Sequence, residues 1–256
     1  AVAVMRKPRA YPLVQRLAGD TGPGQFRVEL QQRFGWPMWD NLPMAAGLQG
    51  VLGNGPIVYA SYMRTLGAGP GHLLHDFNSS LADSYDSSLM DFFGVRYLLT
   101  KNPQPAPGNK WLPLGEESGM FLWRNDHALP KLGNPRQMAY FESGRMTSAG
   151  DINQLDLSHY VVFEAADKEK AEAMGCGNGA GHFVLGRYRN THIEVETTAD
   201  VAAWLTINDV FDPAWQASVD GRPLPVLRVN GSFRGICVPA GKHVLRMDYR
   251  PFAWLG

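Results

Sequence analysis

Apolar and polar residues alternate along this chain at two different periods, and the switch between them divides it. In "FRVELQQRF" the period is two. Phe26, Val28 and Leu30 share one side and Arg27 and Glu29 the other, which predicts a strand. "GWPMWDNLPM" follows as an aromatic, proline-rich loop. After "GNG", Pro56 suits the first position of a helix, and Val58, Tyr62 and Leu66 then recur at four-residue spacing on one face. "SYDSSLMDFFG" predicts a second helix, with Asp86 or Ser87 as its N-cap and Gly94 as its stop; "VRYLLT" then reads as a buried strand. Helix, glycine and strand in that order predict an α/β layer around a mixed sheet. "MFLWRN", "RQMAYFE" and "HYVVFEA" add strands, and "DKEKAEAMGCGNGAG" reads as a short charged helix running into a glycine-rich joint.

From residue 182 onward only the period of two remains. Ile193 and Val195 oppose Glu194 and Glu196. Trp215, Ala217 and Val219 face one way, and Leu245, Met247 and Tyr249 face away from Arg246, Asp248 and Arg250. Asp220-Gly221 is a two-residue hairpin turn, "PAGK" fits a second turn, and Pro223 and Pro225 put "RPLPVLRV" at a sheet edge. Short strands separated by turns predict an antiparallel β-sandwich. The fold class expected is therefore mixed α+β: an α/β domain over residues 25–180 and a β-sandwich over 181–250, after a lead-in over 1–24.

Composition narrows the function classes. The chain has 256 residues, 45% hydrophobic, enough for a sizeable core. Its 24 basic and 24 acidic side chains cancel, which argues against a nucleic-acid partner. No apolar run reaches the ~18 residues of a membrane span, and the start does not have the layout of a signal peptide, because Arg6, Lys7 and Arg9 follow its apolar run. Cys176 and Cys237 are the two cysteines. A disulfide between them suits an oxidising compartment, while a strand cysteine such as Cys237 also serves as a small buried hydrophobe; the sequence leaves both open.

Catalytic signatures are missing from the sequence: it holds no nucleophile elbow, zincin helix or phosphate loop. His72 and His75 are three apart, but Gly69-Pro70-Gly71 argues against a helix that would bring them to one face, and Asp83 and Asp86 read as helix-capping residues. Neither a metal nor a cofactor is implied. The most suggestive cluster is Trp36, Trp39, Asp40 and Asn41, with Asn54 and Tyr59 nearby. Flat indole faces meet the C–H side of a pyranose and amides and carboxylates hold its rim; the same tryptophans also suit a core under a proline-stiffened loop. Arg234, beside Phe233, offers a planar fork for a carboxylate or phosphate, or a tie between the two domains. Trp215 alternates with core residues and reads as core.

The block "NDVFDPAWQASVDGRPLPVLRVNGSFRGICVPAGKHVLRMDYRP" resembles the C-terminal extracytoplasmic segment of YfhO-type bacterial membrane proteins. The matching positions are Phe211, Pro213, Trp215, the Asp220-Gly221 turn, Asn230, the Phe233-Arg234-Gly235 strand, Pro239, Gly241, His243, Tyr249 and Pro251. Upstream, "FRVELQ", "NLPMAAGLQGVLGNGPI", "FFGVRYLLT" and "LWRNDHALPKL" follow in the family's order, so the resemblance covers residues 25 to 251. It implies a multi-span, glycosyltransferase-like protein of the bacterial inner membrane that uses polyprenyl-phosphate sugars. The chain would be a periplasmic, non-catalytic domain that binds acceptor glycan or lies as a lid over the membrane site. Its partners would be the rest of the parent protein and a cell-envelope glycan or lipid-linked sugar. On this reading residues 1–24 lead in from a preceding membrane segment, and residues 251–256, in "YRPFAWLG", begin a following membrane helix. The catalytic carboxylate of related enzymes lies in an early loop between membrane helices, a role for which no residue here qualifies. The alternative expectation is a free-standing secreted carbohydrate-binding module.

Overall fold

The computed structural model of the chain describes residues 12–13, 15–17, 26–30, 49–51, 60–66, 85–100, 109–117, 119–147 and 150–251. The protein is mostly β, in several mostly antiparallel sheets. It divides into two compact units, Ala1–Val58 with Pro70–Pro130 and Tyr59–Gly69 with Lys131–Gly256. The division between 130 and 131 differs from the one expected near residue 180. The strands and short helix between those points pack on the second unit's sheets, a long-range preference that local composition does not record. No described helix is long and apolar enough to cross a membrane.

The first unit holds a four-stranded sheet in the order β1-β2-β4-β3. Strand β1 (Arg27–Leu30) runs parallel to β2 (Val95–Thr100). Strands β4 (Met120–Asn125) and β3 (Trp111–Glu117) continue antiparallel. All four residues of β1 are buried, so Arg27 and Glu29 do not face water as their alternation predicts. Each has a partner inside: Arg27 Nη1 donates to the Phe93 carbonyl, and Glu29 Oε2 accepts from the Val51 amide at 2.7 Å. Strand β3 was not foreseen, because Pro113 and Gly115 interrupt it. It is an edge strand whose register shifts between those two residues, the place where a missing N–H is tolerated.

A helix precedes β2 as predicted, over Ser88–Phe92. Ser87, not Asp86, is its N-cap, accepting from the Leu89 amide at 3.1 Å, and Gly94 ends it. Asn125 at the end of β4 is fully buried and gathers the chain around it. Its Nδ2 donates to Asp91 Oδ1 and the Val95 carbonyl, and its Oδ1 accepts from the His127 amide. That accounts for the polar step inside "LWRNDHALP".

The second unit begins with a helix over Ala60–Thr65, here α1; the Ser88–Phe92 helix is α2. Its strands are β5 (Leu132–Gly133), β6 (Gln137–Phe141), β7 (Tyr160–Glu164), β8 (Gly181–Arg189), β9 (His192–Ala199), β10 (Ala203–Val210), β11 (Trp215–Val219), β12 (Arg222–Leu224), β13 (Leu227–Val229), β14 (Phe233–Val238) and β15 (Gly241–Tyr249). All but β6 and β7 form a four-stranded sheet β13-β14-β10-β5 and a five-stranded sheet β12-β11-β15-β9-β8, both antiparallel. One apolar cluster draws on both: Val195, Leu205, Ile207, Ile236, Leu245 and Met247 lie in it without measurable exposure. The inward positions of β9, β11 and β15 are those that the alternation of the sequence assigns.

"RPLPVLRV" forms two edge strands rather than one. Strand β12 ends the five-stranded sheet and β13 ends the four-stranded one, and the chain changes sheets at Pro225-Val226, where proline offers no N–H to a ladder. On the other face of the four-stranded sheet lie the parallel pair β6–β7 and helix α3 (Lys168–Ala173), packed around Phe163 and Trp204. Cys176, just after α3, is bonded to Cys237 of β14, which settles the alternative left open by the sequence.

Candidate functional site

Six of the seven predicted site residues, Trp36, Trp39, Asp40, Asn41, Asn54 and Tyr59, lie outside the described residues, as do His72, His75 and Asp83. The seventh, Arg234, belongs to β14 and points toward one end of the core between the two sheets. Its Nε donates to the Val210 carbonyl at 3.0 Å, and its guanidinium carbon stands 4.0 Å from the centroid of the Trp215 ring. Trp215 in turn packs against Tyr249, centroids 5.4 Å apart and planes tilted by 48°, and the Tyr249 hydroxyl reaches Asp212 Oδ2 at 3.4 Å. Asp212 Oδ1 accepts from the Ala214 amide and so fixes the Asp212-Pro213 turn that delivers Trp215 into the sheet. The planar, delocalised guanidinium is the side chain suited to such stacking. Arg234 is 6% exposed, and the geometry makes it a tie among β10, β11 and β14 inside the second unit.

At the opposite end of β11 the Asp220-Gly221 turn meets the turn before β15. His243 Nδ1 lies 2.6 Å from Asp220 Oδ2, and His243 Nε2 lies 2.8 Å from the Ala240 carbonyl oxygen. The carbonyl of Ala240, followed by the Asp220 carboxylate, holds the His243 imidazole above its ordinary value of 6.5. In turn, the hydrogen bond from His243 holds Asp220 below its ordinary 3.8. Gly241, with φ 114°, makes this packing fit: a β-carbon there would stand 2.8 Å from His243 Nε2. The Asp-Gly and Pro-Ala-Gly-x-His signatures are thus two halves of one contact.

Sequence reading did not find a third group. Lys131 Nζ donates to Asp209 Oδ1 at 2.8 Å, the Tyr188 hydroxyl donates to Asp209 Oδ2 at 2.9 Å, and the ammonium lies 4.6 Å from the Tyr188 ring centroid. The lysine side chain is 2% exposed and the aspartate 10%. The three residues come from β8, β10 and the residue before β5, and no short spacing links them. The only hint is a charged residue inside each of two apolar runs, "LPKL" and "TINDV". Their polar atoms converge on one another, which suits a structural ion pair with its acceptors filled. On the solvent side of the five-stranded sheet, His192 Nδ1 contacts Asp248 Oδ1 at 2.7 Å. Its Nε2 lies 3.4 Å from Glu194, which also accepts from Arg246 at 3.3 Å. Those contacts, the His192 hydrogen bond first, hold Glu194 below its ordinary 4.5.

Among the described residues, no group of three or more His, Cys, Asp or Glu is arranged to hold a metal ion. The polar groups that are brought together close turns, bind strands or neutralise one another. No family model matches the chain, and neither a curated protein nor a solved structure matches it.

Proposed function

We propose that the chain is a non-catalytic extracytoplasmic domain of a multi-span, glycosyltransferase-like membrane protein, comprising an α/β part followed by an antiparallel β-sandwich. In this role it lies over the membrane-embedded site of its parent and helps to bind or orient the acceptor glycan. One observation carries the reading. The residues through which the 211–251 block resembles YfhO-type proteins act as fastenings within the second unit: Asp220 with His243, Arg234 with Trp215, and Asn230 with β7. A signature made of fastenings marks a shared scaffold, whereas a shared reaction leaves its signature in groups directed toward a substrate. The Cys176–Cys237 disulfide supports the extracytoplasmic side, since such bonds persist in oxidising compartments.

The test is made on the purified chain and on its parent. Incubated with a polyprenyl-phosphate hexose and a lipid-linked glycan acceptor, the chain alone is expected to transfer no sugar. Excising it from the parent, with the membrane portion still inserted, is expected to abolish or misdirect transfer. Turnover by the isolated chain overturns the proposal. A reading frame without apolar spans flanking the chain overturns it in favour of a secreted carbohydrate-binding module.

A further inference from the structure

We propose that His243 is a proton-operated latch on the rim of the second unit, closing the Asp220-Gly221 turn onto the Pro239-Ala240 turn when the imidazole is charged. The inference is independent of the functional reading above. It starts from donor and acceptor counting. Both ring nitrogens face oxygens that only accept, the Asp220 carboxylate at 2.6 Å and the Ala240 carbonyl at 2.8 Å. A neutral imidazole has one N–H and one lone pair; the imidazolium has two N–H groups. Only the charged ring satisfies both contacts, and loss of one proton sets a nitrogen lone pair against an oxygen.

The position gives that proton mechanical leverage. His243 continues the inward series of Leu245 and Met247 on β15, at the partly exposed end of that series, with its side chain 22% exposed. The residue paired with it on β9 is the uncharged Thr197; Glu196, paired with Val244, lies on the other side of the sheet. Among the described residues, the remaining charges nearby are Arg222, which follows the hairpin turn, and Lys242 on the outward side of β15. Among the described residues Asp220 is the one anion in contact; it holds φ 50°, a left-handed backbone, with its carboxylate on the ring while it also accepts from the Val244 amide. Releasing the ring therefore parts the hairpin turn from the turn before β15 and weakens the hold of Asp220 on the Val244 amide, while residues 241–244 stay paired with β9.

Two measurements on the intact chain test the latch. The first is a titration of the histidine ring signals by NMR from about pH 5 to about pH 9. The midpoint of His243 is expected above 6.5, and Asp220→Asn should lower it. The second is hydrogen exchange at the Val244 amide, corrected for its intrinsic rate. Protection should fall by up to about tenfold per pH unit between the ordinary histidine value and the His243 midpoint. The Leu245 amide, in register with Val219 deeper in the sheet, should hold constant. The wild-type chain alone decides the matter if the variant fails to fold. A His243 midpoint at or below 6.5, or Val244 protection that ignores pH over this range, overturns the proposal.

Discussion

Asn230 grips Val162 at both of its backbone polar groups. The Val162 amide donates to Asn230 Oδ1 at 2.8 Å, and the Val162 carbonyl accepts from the Asn230 amide at 2.7 Å. One residue of a turn thereby imitates a rung of a ladder and pins β7 to the β13–β14 connection. Asn230 is fully buried and holds φ 50°, a conformation that asparagine adopts more readily than most residues. Replacing it with alanine leaves the buried Val162 amide unsatisfied, and the expected loss is about 1–3 kcal/mol in urea unfolding. Asn230→Asp should fall in the same direction, because a carboxylate in that position lacks water. A neutral result for both would show that β7 is held by packing alone.

The disulfide closes a long segment, with Cys176 and Cys237 separated by 61 positions. Constraining a loop of that size in the unfolded chain is expected to contribute about 2–4 kcal/mol. Reduction, or the Cys176→Ala/Cys237→Ala pair, should lower the thermal midpoint while the far-ultraviolet circular dichroism at room temperature stays close to wild type. The loosening should appear first in amide exchange of α3, which the bond ties to β14.

Lys131 and Asp209 should respond to mutation in a non-additive way. Removing only the ammonium, as in Lys131→Met, leaves a carboxylate that is 10% exposed without its buried cation, an expected loss of about 3–5 kcal/mol. Adding Asp209→Leu to that variant should recover much of the loss, since two apolar side chains avoid the charge burial altogether. By contrast, Arg246→Met breaks a pair whose arginine is 60% exposed, and should change stability far less than Lys131→Met. Chemical denaturation of the four proteins at neutral pH checks the pattern.

Two acidic groups contribute to the acid limb of the stability profile. Glu194 and Asp220 are held below their ordinary values of 4.5 and 3.8, so each contributes stability that is present above that value and is lost as pH falls through the depressed one. His243 has the opposite sign. Its contribution is complete below 6.5 and disappears as pH rises through its elevated value. The difference in unfolding midpoint between wild type and Glu194→Gln should therefore be positive above pH 4.5 and shrink toward zero in stronger acid. Because the group is at the surface, about 1 M salt should reduce the difference at every pH.

What could be read from the sequence depended on range. The inward series of β9, β11 and β15 follow a local rule, since each side chain's face is set by its immediate neighbours. The Ser87-capped helix and its Gly94 stop are equally local. Arg27 and Glu29 defeated the same rule: their alternation resembles that of an exposed edge, but a parallel neighbour and distant backbone partners bury them. Strand β3 was hidden by Pro113 and Gly115, which an edge position tolerates. The grouping of β5 through β7 with the later strands depends on contacts such as Asn134 Nδ2 donating to the Trp204 carbonyl at 3.0 Å, across a separation that no window spans. Of the candidate site, Trp215 was legible as core. The Lys131–Asp209–Tyr188 group was not, because its members share neither a segment nor a motif.

Helix α1 has a consequence for the order in which the protein is made. Residues 59–69 belong to the second unit, although the chain on both sides of them belongs to the first. Thr65 of this helix shares a hydrogen bond with the fully buried Ser232 at 2.9 Å. The same threonine stands where a side chain on Gly231, with φ 86°, would have to go. The seat for α1 is built from residues synthesised long after it, 167 positions further along between Thr65 and Ser232. A growing chain cannot complete the second unit vectorially, piece after piece, as it emerges from the ribosome. The early strip must wait, undocked, until β13 and β14 arrive to receive it.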